Sequence, residues 1–451
     1  MATTASPDIH IPRQAWYRTT VSGMASYLDA AAIISTGTAL VLYQDQLGLT
    51  AGHIGGLSAI LTFLMAAGAL VGGRLGDLYG RRRVFMVTMA LYTVGAALML
   101  TAGSVGMLYV GVAALGFAVG ADLPVSLAMI AEGAPKGARG KLISFSHILW
   151  LVGILASQLL GIIVGNMGFA GGRILYAHLV VVAIVTLVLR ARIPESAQWA
   201  AAHHGEVVAD ASGDKVDVGT LKQLLRGPFL APMIAVSLFY ALVNVGANTG
   251  GQFSTFMYVN IAGSTVRFAS TVSFITFLIA FAATYLLMRI VDGRNRMRWF
   301  AVMAVIYTLG YVLPAVLGAQ VWTLVTMGVI GSIAGAIAGE PMFKIWAQEL
   351  FPTVYRSTAQ GVMIAVTRVV AALVALWTPA LLEASPSILF WFVAACIAAG
   401  GLIGVFWISR YPKVADAEPD TLAAQPTDAP VIDAPVTDAP VAPSADGRVQ
   451  R

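Results

Sequence analysis

The amino-acid sequence predicts an all-α membrane protein, twelve transmembrane helices arranged as two pseudo-symmetric six-helix bundles. Three observations carry that expectation: an apolar composition, twelve apolar runs of membrane-crossing length, and a charged-loop pattern that occurs once in each half. Of 451 residues, 58% are hydrophobic and 11% charged, and mean hydropathy is +0.81. A soluble domain is about a quarter charged, so a soluble globule is excluded. The net charge of +5 is not gathered on a polar domain, which excludes a nucleic-acid partner.

Crossing about 30 Å of hydrocarbon takes roughly 20 residues as a helix. Runs of that length lie near 19–43, 53–75, 84–103, 106–131, 142–166, 173–192, 228–258, 267–290, 299–318, 321–348, 357–383 and 387–409. Their Gly and Ala content suits helices packed against one another in lipid. With the amino terminus inside, the outward loops hold only Arg173 and Arg267 of the 27 basic residues. This positive-inside asymmetry places both termini in the cytoplasm, in the cell (plasma) membrane.

The segment before the first run, 1–18, contains Pro7, Pro12, Arg13 and Arg18 and lacks a small-residue cleavage pattern, so it reads as a retained cytoplasmic segment. Two bundles, 19–192 and 228–410, flank a polar cytoplasmic loop at 193–227. The tail 411–451 contains the near-repeat APVIDAPVTDAPVAP and reads as disordered and cytoplasmic. Cys396 is the single cysteine, so no internal disulfide forms. The adjacent His203 and His204 lack a third ligand, and no metal or cofactor is expected. A nucleophile elbow, a P-loop and a Cys/His constellation are all missing, so the sequence does not read as an enzyme or an ATP-driven pump.

The halves repeat. GGRLGDLYGRRRVF (72–85) aligns without a gap on LMRIVDGRNRMRWF (287–300), matching Arg74, Asp77, Arg81, Arg83 and Phe85 to Arg289, Asp292, Arg296, Arg298 and Phe300. Glu132, Pro135 and Arg139 share the spacing E-x-x-P-x-x-x-R with Glu349, Pro352 and Arg356, and Pro124 and Pro341 each stand eight residues before the Glu. Two agreeing spacings mark a duplication, and duplicated bundles place a substrate between the halves near the midplane. Acid and guanidinium groups at these helix ends can pair across neighbouring helices when that side is shut. A cytoplasmic gate is therefore expected from Arg74, Asp77, Arg81, Glu132, Arg139, Asp292, Arg296, Glu349 and Arg356.

These loops resemble the signature of the major facilitator superfamily. Within it the chain resembles the sugar porters and their polyol and organic-acid relatives, through RIPESAQW (192–199), EGAPKGARGKL (132–142), ELFPTVYR (349–356) and LVGILASQLLG (151–161). The resemblance implies that Gln158 binds substrate hydroxyls, that Asp29 is the titratable acid of the first helix, and that Glu195 of the PES-like motif belongs to the gate. In the seventh helix Gly246 and Asn248 match the sugar porter pattern, whereas Leu242 and Val243 stand at its glutamine positions. Ala113 stands where an arginine usually partners the first-helix aspartate. GADLPV (120–125) and Arg368 resemble a branch that includes inositol and nicotinate carriers. The resemblance thus implies a proton-coupled importer of a small polyol or monosaccharide, functional as a monomer. An organic-acid carrier and a non-transporting nutrient sensor are the alternatives.

A charge at the bilayer centre costs on the order of 3 kcal/mol on insertion scales, so those that persist are functional candidates. Asp29 and Asp122 have no basic residue within one turn and are candidates for carrying the proton, singly or as a shared pair; direct acceptance of substrate hydroxyls is the other reading. Glu340 has Lys344 four residues on, and Arg368 requires an acid or a substrate anion. Candidate substrate contacts are His147 and Gln158 on one face of the fifth helix, Asn244, Asn248 and Gln252 in a stripe on the seventh, Glu340 and Arg368, and Trp346 and Trp150 as an apolar platform. Interhelical hydrogen bonding is the competing use of the amides.

Overall fold

A computed structural model describes residues 11–135, 138–196, 199–200, 229–290, 295–351 and 353–412. The central loop beyond residue 200, with His203 and His204, and the tail from 413 lie outside the described residues. Twelve helical spans long and apolar enough to cross a membrane are present, and the described residues contain no strand.

The first six helices are α1 (Arg13–Leu47), α2 (Ala51–Tyr79), α3 (Arg81–Leu100), α4 (Val105–Glu132), α5 (Arg139–Val164) and α6 (Phe169–Ala191). Their ends follow local chemistry. Gly48, at φ 62°, stops α1 in the left-handed conformation that glycine adopts without steric cost. Thr50 and His53 then form a reciprocal capping box, Thr50 Oγ1 accepting from the His53 backbone N–H at 3.3 Å and His53 Nδ1 accepting from the Thr50 N–H at 3.3 Å.

The second half comprises α7 (Leu230–Gln252), continued by the turn Ser254–Phe256 and a π turn Met257–Ile261, then α8 (Val266–Ile290), α9 (Arg296–Leu317), α10 (Val321–Ala338), α11 (Glu340–Glu349), α12 (Thr353–Ala384) and α13 (Pro386–Leu402). The tenth span, read from sequence as one helix, is broken at Gly339, whose ψ of −138° is not helical. Pro341 follows in the first turn of α11, where a missing N–H costs nothing.

Within the first half, α1 packs on α4, α5 and α6, and α4 also on α2 and α3; within the second, α7 packs on α12 and α13, and α9 on α10 and α13. The halves meet where α2 lies on α12, α5 on α8, and α1 on the turn after α7. The first and last described residues, Ile11 and Pro412, and the helix ends near Gly80, Glu132, Arg139, Glu349 and Thr353 share one face, termed terminal here; the other face is distal. The contacts that draw the halves closest lie on the distal side. A Cβ on Gly37 would strike the Gln252 carbonyl, one on Gly55 the Leu376 carbonyl, and one on Gly161 would lie 2.5 Å from Ser270 Oγ. The two hydrogen bonds between described residues that cross the halves, Thr38–Thr255 at 3.3 Å and Gln252 Nε2–H to the Ser58 carbonyl at 3.4 Å, lie there too.

Candidate functional site

Polar and charged side chains of α1, α5, α11 and α12 gather at mid-membrane depth, where the two halves face each other. Asp29 sits at the middle of α1, and its Oδ2 accepts a hydrogen bond from the Trp150 indole N–H of α5 at 2.9 Å. The ring of His147, one turn earlier, stacks on Trp150 at 5.6 Å with planes 8° apart. From the other half, Arg368 at the middle of α12 and Glu340 at the start of α11 act on Asp29 through their charges, and Lys344 and Glu340 act likewise on His147. Lys344 Nζ and Glu340 Oε1 pair at 2.9 Å, both side chains being almost half exposed. Polar groups at this depth that see one another across two bundles and still reach water line a wet cleft.

Of the other proposed substrate contacts, Gln158 is buried and its Oε1 has no hydrogen-bond partner. An amide oxygen left unmade in this way costs about 1–3 kcal/mol, which a ligand hydroxyl would recover. Asn244 is half-buried on α7. Asn248 donates to Gln252 Oε1 at 3.4 Å, and Gln252 reaches the Ser58 carbonyl, so these two amides serve the distal seam. Trp346 corrects its sequence assignment as a platform. It is 3% exposed and wedged edge-on against Phe239 and Phe300, at centroid distances of 4.8 and 5.1 Å. The tryptophan at the cleft is Trp150.

Asp122 is also corrected. Sequence proximity gives it no cation, yet Arg190 of α6 pairs with its Oδ1 at 2.6 Å, with side chains 0% and 5% exposed. Thr88 Oγ1 donates to the same carboxylate at 2.8 Å, Ser126 Oγ to its other oxygen at 3.4 Å, and the Arg190 guanidinium lies 3.6 Å over the Phe85 ring. This fully buried pair ties α3, α4 and α6 together and removes the premise of a lone acid sharing a proton with Asp29. The sequence signal was Arg190 itself, inside the apolar end of its helix rather than in the loop where Arg192 follows.

On the terminal face Arg81 Nε and Nη2 donate to Glu132 Oε1 at 3.2 and 3.1 Å, and Arg296 grips Glu349 with two parallel bonds of 2.6 and 2.8 Å. Both pairs join neighbouring helices of one half. Glu195 accepts from the Arg82 backbone N–H at 3.0 and 3.1 Å, capping α3 with a carboxylate where the helix presents free N–H groups. Gly80, at φ 98°, makes room for it, since a Cβ there would lie 2.6 Å from Glu195 Oε2. Arg74 and Arg139 are exposed. The side chains of Asp77 and Arg356, and all of Asp292, lie outside the described residues.

Two packed six-span halves that bring intramembrane charges together where they meet define a membrane transporter rather than an enzyme. The Major Facilitator Superfamily family model matches residues 19–375, and the chain belongs to that superfamily. It is 28% identical over 393 residues to the minor myo-inositol transporter IolF of Bacillus subtilis, covering 86% of this chain and 90% of the relative. It is 25% identical to the glucose transporter GlcP of Staphylococcus epidermidis, covering 78% and 85%. Among solved structures, the inward-open xylose transporter XylE from E. coli superposes with a TM-score of 0.72 at 18% identity, covering 91% of this chain and 99% of the other.

Proposed function

We propose that this protein is a proton-coupled symporter that imports a small polyhydroxylated solute of the inositol or monosaccharide kind by alternating access. It works as a monomer in the plasma membrane with both termini cytoplasmic. The observation that carries the reading is Asp29, a carboxylate at the middle of a membrane span, fixed by Trp150 and acted on by Arg368 and Glu340 of the opposite half. A carboxylate at the junction of two moving halves changes its surroundings with each swing, which is what binding and releasing a driving proton requires.

The relatives named for myo-inositol and glucose transport support the solute class. Gln158 Oε1, without a partner, and Asn244 supply uncharged contacts for hydroxyl groups, and Trp150 with His147 offers a flat aromatic wall. The basic terminal face supports the orientation, with Arg74, Arg81, Arg139 and Arg296 at helix ends; that face is then the cytoplasmic one. Uptake of labelled myo-inositol into proteoliposomes tests the proposal: an imposed pH gradient, acid outside, drives accumulation above the equilibrium level. Binding without net flux would make the protein a sensor instead.

A further inference from the structure

We propose that the distal contact between the halves is balanced to part: the sealed hydroxyl groups of Ser58, Thr249 and Ser270 are unmade while the halves touch and are satisfied by water once they separate. This rests on the carrier reading above and assigns three residues that set its conformational equilibrium. Among the described residues, three buried hydroxyl oxygens have no hydrogen-bond partner, and they are these three, on residues 1%, 1% and 0% exposed. All stand at the distal seam. Ser58 of α2 supplies the carbonyl that accepts from Gln252 of the other half, and Thr249 lies on α7 one turn before Gln252. Ser270 of α8 lies against α5, where a Cβ on Gly161 would come within 2.5 Å of its Oγ. Gln158 Oε1, one turn before Gly161, is a fourth unpartnered oxygen beside this contact.

A hydroxyl group on a helix can satisfy itself by donating to the carbonyl four residues earlier. Thr62, one turn beyond Ser58, does so at 3.0 Å, and Thr271, next to Ser270, does so at 2.8 Å. The three seam hydroxyls do not, and the facing half covers them against water. Each such unmade bond weighs against the closed contact by a factor of about ten in the equilibrium. Opposing them, Gly37, Gly55 and Gly161 let the halves pack closely, and Thr38–Thr255 and Gln252–Ser58 bridge them. A seam with the packing alone would stay shut. With hydroxyl groups that gain partners on parting, the two states stay close enough in energy for a solute's unequal affinity to move the balance.

The test uses the full chain in proteoliposomes and the variants Ser58→Ala, Thr249→Val and Ser270→Ala, each of which deletes one oxygen with little change of shape. Deuterium uptake by mass spectrometry is read on the facing helix: residues 249–256 for Ser58→Ala, 54–62 for Thr249→Val and 156–165 for Ser270→Ala. The expected result is uptake of deuterium slowed about tenfold in each, with counterflow of labelled myo-inositol slowed in parallel. Thr249→Ser, which keeps the oxygen, should exchange as the parent does. Deuterium uptake unchanged or faster in the three variants, with counterflow present in the parent, overturns the inference and leaves the carrier reading standing. Absence of counterflow in the parent removes the carrier reading and the inference with it. Should one variant fail to fold, the other two decide, because Ser270 lies in a different helix contact from Ser58 and Thr249.

Discussion

Replacing Asp122 or Arg190 singly is expected to be far worse than replacing both. The two side chains are sealed from solvent and meet at 2.6 Å, so Asp122→Asn leaves a guanidinium buried on a ring face with no countercharge, and Arg190→Met leaves a carboxylate in the same position. Each single change is expected to cost about 3–5 kcal/mol, the usual effect of breaking a buried pair from one side. The double variant Asp122→Leu/Arg190→Met strands no charge; it takes partners only from hydroxyl groups and from the Ser22 carbonyl, which accepts from Arg190 at 3.4 Å. Thr88 Oγ1 keeps its second acceptor, the Phe85 carbonyl at 3.2 Å, leaving Ser126 as the main loss, and the cost falls to about 1–3 kcal/mol. The cycle thus predicts a coupling energy of at least about 3 kcal/mol. It is measured by reversible unfolding in mixed micelles of increasing dodecyl sulfate content. Additive effects, or single variants within about 1 kcal/mol of the parent, would refute the assignment of this pair as a clamp of the first bundle. Gradient-driven uptake should survive in the double variant, and its loss in a folded double variant would return Asp122 to the proton path.

Three further outcomes follow from the same geometry. Gly55→Val should hold the distal face apart, because its side chain meets the Leu376 and Ala375 carbonyls. In a Cys396→Ala background a Gln252→Cys reporter should then react with an impermeant thiol reagent applied to the distal face, and be protected without Gly55→Val. Arg296→Gln should cost about 1.5–3 kcal/mol, the range for hydrogen bonds to a charged group, and leave terminal-face accessibility of the cleft unchanged, since its partner Glu349 is in the same half; unfolding and thiol-labelling rates check the two parts. Trp150→Phe keeps the ring but removes the Asp29 hydrogen bond, so it should shift the pH profile of uptake while Trp150→Ala also lowers solute affinity.

The architecture was legible because its signals are local or periodic. Span length, loop arginines and the duplicated motif each act within some twenty residues. The cleft was only partly legible. Asp29, Glu340, His147 and Arg368 stand out as polar groups in apolar runs, and Lys344 is visible at four residues from Glu340. The Asp122–Arg190 pair is 68 residues apart in sequence, and a basic residue at a helix end reads equally as a topology anchor. Trp346 and Trp150 differ in which way their helix face turns, which depends on the break at Gly339 and on the packing of α7 and α13, and no window of sequence contains that. The gate is legible only in part for a similar reason. Charge spacing identifies helix ends that meet but does not say whether they belong to one rigid half or to two.

The central claim is that Asp29 carries the driving proton in the cleft between the halves. Its most direct test is to compare pH-gradient-driven accumulation with solute counterflow at equal pH, for Asp29→Asn in proteoliposomes. The account predicts that the variant loses accumulation and keeps exchange, the cleft still opening alternately to each face without a proton to set direction. Uphill accumulation by Asp29→Asn equal to that of the parent protein would contradict it.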